Sequence, residues 1–227
     1  MLQKPTAKQR KLLEDYKKTL SLEPILFEIG IGTLLGDASI QTQNCGKSFR
    51  LKFSQADNKH REYLNHLHEL FNDWVLSKPS FNPKRKMWSF QTISHQDFNK
   101  LAEIFVIDNQ GNLCHKHIKP NFIEQYMTPR AFSYWIMDDG GRSCYNKDYN
   151  RKGIVLNTQG FSQKDVEFLC TGLQNIYGFN CWTKPNKKGL VIVISGKNNK
   201  QVLDLISPYI ILSMLHKIPG ISGSLDK

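Results

Sequence analysis

Long apolar runs are missing from this chain. No stretch of its 227 residues approaches the roughly 20 that a spanning helix needs, and nothing in it reads as a secretory leader, so no membrane partner is expected. Its five cysteines (Cys45, Cys114, Cys144, Cys170, Cys181) are odd in number and contain no Cys-x-x-Cys pair. That argues against a disulfide framework or a structural zinc site, and for a reducing compartment. Cys114-His115-x-His117 lacks the fourth ligand that tetrahedral zinc requires. Acidic residues are scarce as well: 20 Asp and Glu stand against 31 Lys and Arg, a formal charge of +11. Such a surplus favours a polyanion, because each neutralised phosphate releases counterions. With a membrane surface set aside, nucleic acid is the expected partner.

Two segments stand out, Gly30-Ile31-Gly32-Thr33-Leu34-Leu35-Gly36-Asp37-Ala38 and Phe132-Ser133-Tyr134-Trp135-Ile136-Met137-Asp138-Asp139-Gly140. Each runs an apolar helix into an acid followed by small residues, and Asp37 and Asp139 are 102 residues apart, about half the chain. Glu23-Pro24 and Thr128-Pro129 are suitable helix starts, since Pro is tolerated at the first helical position and Thr is a favoured cap. Both acids then fall at helix C-terminal ends, among orphan carbonyl oxygens, which is unfavourable by ~0.3–1 kcal/mol without a cation. Clustered oxygens of this kind suit Mg²⁺, which accepts one or two carboxylates plus waters and phosphate oxygens. The pair is therefore read as metal ligands. A second echo supports the repeat: Lys116 lies 79 residues after Asp37 and Lys217 lies 78 after Asp139, each shortly before a Pro.

The intervening pattern repeats too. In the first half, Ser39 to Gln43 reads as a strand, Asn44-Cys45-Gly46 as a turn, and Lys47 to Gln55 as the partner strand. There Phe49, Leu51 and Phe53 alternate with Arg50, Lys52 and Ser54, placing an apolar set inward and a basic set outward. A helix over 58–76 follows, with Leu64, Leu67, Phe71 and Trp74 on one stripe. Next come a hairpin over 81–93 with a basic tip, Lys84-Arg85-Lys86, and a helix over 95–106 capped by Ser94 with Asp97 three residues on. The second half gives the helix over 129–139, a hairpin over 142–159, and a helix from Ser162 carrying Val166, Leu169, Leu173 and Ile176. Strands near 179–184 and 189–195 follow, split by Lys187-Lys188, with a closing helix near 198–213. The expected organisation is a basic N-terminal extension (1–20), serving as part of the fold or as a phosphate-contacting arm, and two repeats (21–120 and 121–227). Gly30-x-Gly32-x-x-x-Gly36 is not a dinucleotide fingerprint, which needs a preceding strand. Three glycines in a helix cost about 1 kcal/mol each relative to Ala, so close helix-to-helix approach is the expected reason for them.

The two acidic segments, with Ile154-Val155-Leu156-Asn157-Thr158-Gln159, resemble the paired motifs of LAGLIDADG homing endonucleases of the single-chain, two-motif, intron-encoded type, over about residues 12–220. The resemblance implies an α+β pseudo-dimer of two αββαββα repeats. Motif helices would form the interface, and two antiparallel saddle-shaped sheets would straddle double-stranded DNA at a long asymmetric site. It implies metal-dependent (Mg²⁺ or Mn²⁺) phosphodiester hydrolysis leaving 3′ overhangs, with Asp37 and Asp139 on the metal and Lys116 and Lys217 as the basic residues of the two sites. Ser54 or Gln55, and Asn157, match the strand position of a polar, water-holding residue. The second motif departs from the family pattern in carrying Tyr134 and Trp135 where small residues are usual, so bulk from one helix should fill space left by the glycines of the other. The sheet residues expected to face DNA are Gln41, Gln43, Arg50, Lys52 and Gln91 on strands, with Lys84, Arg85, Lys86, Lys184, Lys187 and Lys188 at or near hairpin tips. A monomer with internal pseudo-twofold symmetry and an organellar setting, mitochondrion or chloroplast, are implied. The alternatives are an RNA maturase on the same fold, or a DNA-binding protein that does not cut.

Overall fold

The computed structural model describes residues 6–56, 60–108, 110–144 and 152–219. After a helix α1 (Ala7–Lys17), the first repeat runs α2 (Pro24–Leu35), β1 (Ser39–Thr42), β2 (Phe49–Ala56), α3 (Arg61–Leu70), β3 (Ser80–Asn82), β4 (Met87–Gln91) and α4 (Asn99–Phe105). A short α5 (Phe122–Tyr126) occupies the junction. The second repeat runs α6 (Pro129–Asp139), β5 (Gly140–Cys144), β6 (Lys152–Leu156), α7 (Gln163–Tyr177), β7 (Cys181–Asn186), β8 (Gly189–Ile194) and α8 (Asn199–Ile206). Each repeat is thus αββαββα, and each holds one antiparallel four-stranded sheet, ordered β1-β2-β4-β3 and β5-β6-β8-β7. The turn of the hairpin read over 142–159 falls at residues 145–151, outside the described residues.

Local chemistry accounts for the element ends. Pro24 and Pro129 open α2 and α6, and the Thr128 hydroxyl accepts from the Ala131 amide. Ser162 and Asp165 form a full capping box at α7, which ends on Gly178 in the left-handed region (φ 64°) that glycine adopts at no steric cost. In β2 the expected alternation holds, with Phe49, Leu51 and Phe53 buried and Arg50, Lys52 and Ser54 half-buried. Phe53 packs its ring against Phe71 and Phe90 at centroid separations of 5.2 and 4.8 Å.

The motif helices α2 and α6 lie against each other at the centre of the molecule. A Cβ at Gly32 would strike the Ala131 carbonyl oxygen and the Tyr134 side chain, and one at Gly36 would strike the side chain of Asp138. Tyr134 therefore occupies the space that Gly32 leaves, as the departure of the second motif from the family pattern suggested. Gly30 serves a different contact, lying under Leu101 of α4 in its own repeat. At the far end of the pair, Glu28 of α2 accepts from Arg130 (2.9 Å) and Thr128 (3.0 Å), so one carboxylate ties the two halves together.

Several element boundaries differ from the sequence reading. The 95–106 segment is capped by His95, whose Nδ1 accepts from the Asp97 amide, and not by Ser94; the Asp97 carboxylate instead accepts from the Leu22 amide at 2.8 Å. The 58–76 helix stops at Leu70 and continues as a 3-10 turn that buries Trp74. The helix near 198–213 ends at Ile206, and a separate 3-10 turn, Leu212–Lys217, carries Lys217. Ile176 is 46% exposed and does not belong to the buried stripe of α7.

Candidate active site

The C-terminal ends of α2 and α6 meet, and the two acids arrive with them. Asp37 follows the Gly36 cap and is exposed; Asp139 is the last residue of α6 and is half-buried; Asp138, one residue earlier, is buried. Among the described residues no Lys, Arg or His nitrogen lies within ion-pair distance of any of these three carboxylates. The electrostatics follow from that arrangement. Burial, and then the charge of Asp37, pushes the Asp139 carboxyl up to about 7, with Lys116 and Lys217 pulling it down. Burial, then Asp37 and Asp139, pushes Asp138 well above the usual carboxylate range.

Two ammonium groups lie beside the acids, in different bonding states. Lys116 Nζ donates to three carbonyl oxygens at the end of α2, those of Leu34 (2.7 Å), Gly36 (3.2 Å) and Ala38 (3.2 Å). An ammonium has three donors, so all of them are committed, and the positive charge sits where the helix dipole is negative. Among the described residues Lys217 Nζ donates once, to the Asp138 carbonyl at 2.9 Å. Burial lowers the pKa of both lysines, against the pull of the three aspartates.

The polar strand residues are also unequal. Gln55, buried on β2, donates from Nε2 to Asp37 Oδ2 and to Asp138 Oδ1, both at 3.2 Å. Asn157 does not reach a carboxylate; its Nδ2 and its own amide both donate to the Asp139 carbonyl oxygen, at 2.9 and 3.0 Å. Ser54 faces the opposite side of β2 from Gln55, half-buried, so Gln55 is the residue that enters the site. The six candidates Asp37, Asp139, Lys116, Lys217, Gln55 and Asn157 are therefore gathered at one end of the helix pair.

Sequence reasoning did not find Tyr63, whose fully buried hydroxyl faces Asp138. In the helical stripe of α3 it reads as an ordinary core aromatic. Asp138, beside Asp139, makes one of the contacts between the two halves. The donor set is all oxygen, two carboxylates and carbonyls in like-charge proximity, which fits a hard divalent cation. Among the described residues no group of three or more His, Cys, Asp and Glu side chains forms a metal cluster, so such an ion would complete its shell with water and phosphate oxygens.

On the first sheet, strand register puts Gln41 opposite Arg50 and Gln91 opposite Lys52, all on the face away from the core, and Arg50 donates to Gln41 at 3.3 Å. Gln43 lies just past β1, exposed. Lys84, Arg85 and Lys86 are exposed at the β3–β4 turn, where Asn82 Oδ1 accepts from the amides of Lys84 and Arg85. On the second sheet Lys184, Lys187 and Lys188 are exposed at the β7–β8 end. The outer face there differs: Lys184 shares it with Val155, Trp182, Val191 and Val193.

The LAGLIDADG DNA endonuclease family matches residues 27–202, most of the chain and both acidic helices. The chain belongs to this family. A probable intron-encoded endonuclease 1 of Wickerhamomyces canadensis is 36% identical to this LAGLIDADG chain over 92% of its length and 90% of the relative's. The solved structure of the homing endonuclease I-WcaI bound to its DNA recognition sequence superimposes with a TM-score of 0.81 at 36% identity, covering 96% of this chain and 95% of that one. The cytochrome b mRNA maturase bI2 of Debaryomyces hansenii is 30% identical over 90% of this chain and 76% of the relative.

Proposed function

We propose that this protein is a site-specific endonuclease that cuts both strands of a long asymmetric DNA target, in the manner of intron homing, by divalent-metal-dependent hydrolysis leaving 3′ overhangs. The observation that carries the reading is the convergence of Asp37 and Asp139, one from each repeat, at one end of the helix pair with, among the described residues, no ion pair to either carboxylate. The expected metal is Mg²⁺ or Mn²⁺, and Asp37 and Asp139 would hold it. Bound there, such an ion lowers the pKa of its water and neutralises charge on attacking and leaving oxygens.

The protein's own groups divide the remaining work. Gln55 orients the Asp37 carboxylate. Asn157 fixes the end of α6 through the Asp139 carbonyl. Lys116, with its donors committed, acts through its field, whereas Lys217 has N–H groups left for a phosphate oxygen or its water. Gln41, Arg50, Lys52 and Gln91 face the duplex from the first sheet. Gln43 and the tip residues Lys84, Arg85, Lys86, Lys184, Lys187 and Lys188 contact its phosphates.

Incubation with Mg²⁺ and an intronless copy of the host gene is the test. Double-strand cleavage is expected for the wild type and none for Asp37→Asn or Asp139→Asn, both of which retain binding in EDTA. If either variant cuts both strands at the wild-type rate, the assignment of the carboxylates is wrong. A second activity, RNA splicing as a maturase, is favoured by the resemblance to the cytochrome b mRNA maturases. The same relatives support an organellar setting. We propose a monomer, since the two αββαββα units of one chain supply both halves of the site.

A further inference from the structure

The helix pair is not symmetric at the acids. Gly36 precedes Asp37, but Asp138 precedes Asp139, and the side chain of Asp138 fills the space that Gly36 leaves open. Its carboxyl crosses the interface and accepts two hydrogen bonds from the first repeat on two different oxygens: Oδ2 from the Asp37 amide at 3.3 Å, Oδ1 from Gln55 Nε2 at 3.2 Å. Gln55 in turn holds the Asp37 carboxylate, so the chain of contacts runs from Asp138 to both the backbone and the side chain of Asp37. The Asp138 carbonyl oxygen receives Lys217. One buried residue of the second repeat therefore touches both the Asp37 backbone and the side chain, Gln55, that holds its carboxylate.

We propose that Asp138 is a positioning residue: it does not bind the metal but locks Asp37 and Gln55 into the geometry that the metal-binding carboxylate needs. The inference rests on the nuclease reading and goes beyond it in assigning different work to adjacent aspartates. A carboxyl exposed to substrate would be expected at a metal ligand. Asp138 is 8% exposed, and its oxygens are turned to the first repeat. Groups that orient a metal ligand typically contribute about 10- to 100-fold to metal affinity or activity.

Asp138→Asn is the discriminating change. It keeps the volume that fits over Gly36 but leaves one acceptor oxygen where two donors converge, so one of the two bonds is lost. The measurements are thermal melting, DNA affinity in EDTA, the single-turnover cleavage rate at saturating Mg²⁺, and the Mg²⁺ concentration giving half-maximal cleavage. The expected result is DNA affinity within about twofold of wild type, a cleavage rate reduced about 10- to 100-fold, and a raised Mg²⁺ midpoint. A wild-type rate and midpoint overturn the proposal. So does loss of DNA binding in EDTA, which would make Asp138 a residue of the fold alone. If the wild type itself cuts no DNA, the nuclease reading is what has failed. If the wild type cuts and Asp138→Asn cuts equally, only the positioning role has failed.

Discussion

Adjacent aspartates at the end of α6 illustrate how burial assigns work to identical side chains. Asp139, half-buried and facing Asp37, is held near 7, above its ordinary 3.8. An acid raised in the folded state holds its proton when the unfolded chain has lost it, so folding stability falls as pH rises from about 4 to about 7. That interval is worth at most about 4 kcal/mol. In EDTA, Asp139→Asn should melt at a higher temperature than wild type at pH 8, and the gap should close near pH 4. Added Mg²⁺ should reverse the order by stabilising the charged wild type. Melting curves in which the variant gains nothing at pH 8 would show that Asp139 carries no such penalty. Lys116 and Lys217 are a second contrast at this scale: matching sequence intervals deliver both, yet one ammonium is fully bonded to carbonyls and the other is not.

At the scale of elements, the helix pair depends on bare backbone. Gly36→Ala would put a methyl into the side chain of Asp138, and Gly32→Ala would put one into the Ala131 carbonyl. Neither neighbour is the loose end of a flexible chain, so each substitution should destabilise by at least the ~1–3 kcal/mol of ordinary overpacking, read as a lower urea midpoint with little change in slope. Equal midpoints for wild type and variant would mean that the helices separate without cost. These glycines were legible in the sequence, because three of them in an apolar helix demand a reason, and Pro24 and Pro129 fixed where the helices begin. The cap at 95–106 was not legible. An imidazole nitrogen accepts an amide as a hydroxyl does, and the carboxylate of Asp97 was claimed by Leu22, 75 residues earlier, a competition that local pattern cannot register. Tyr63 was hidden for the related reason that a buried phenol and a core ring occupy the same stripe position.

Among the described residues the two sheet faces carry charge unevenly. Arg50 and Lys52 stand on the outer face of the first sheet, whereas on the corresponding face of the second sheet the described basic strand residue is Lys184, among valines and Trp182. The logarithmic dependence of DNA affinity on salt should therefore flatten more for Arg50→Gln with Lys52→Gln than for Lys184→Gln, by about one unit per lost phosphate contact. A wild-type slope in the Arg50→Gln, Lys52→Gln protein would show that the first sheet reads bases without neutralising phosphates. The pairing of acids, lysines and sheets was legible because a tandem repeat states each element twice. The unequal faces were not, because a strand's outer residues acquire meaning only from register.

The stretch between the repeats is more than a tether. It carries Lys116 into the carbonyls at the end of α2, and two residues later the Ile118 amide donates to Asp165 at the start of α7. The chain there is pinned to one repeat and then to the other within three residues. Any engineer who wishes to lengthen this connection, or to recombine halves from different nucleases, must work outside that staple; an insertion inside it would pull a charge out of one half or unmoor a helix of the other.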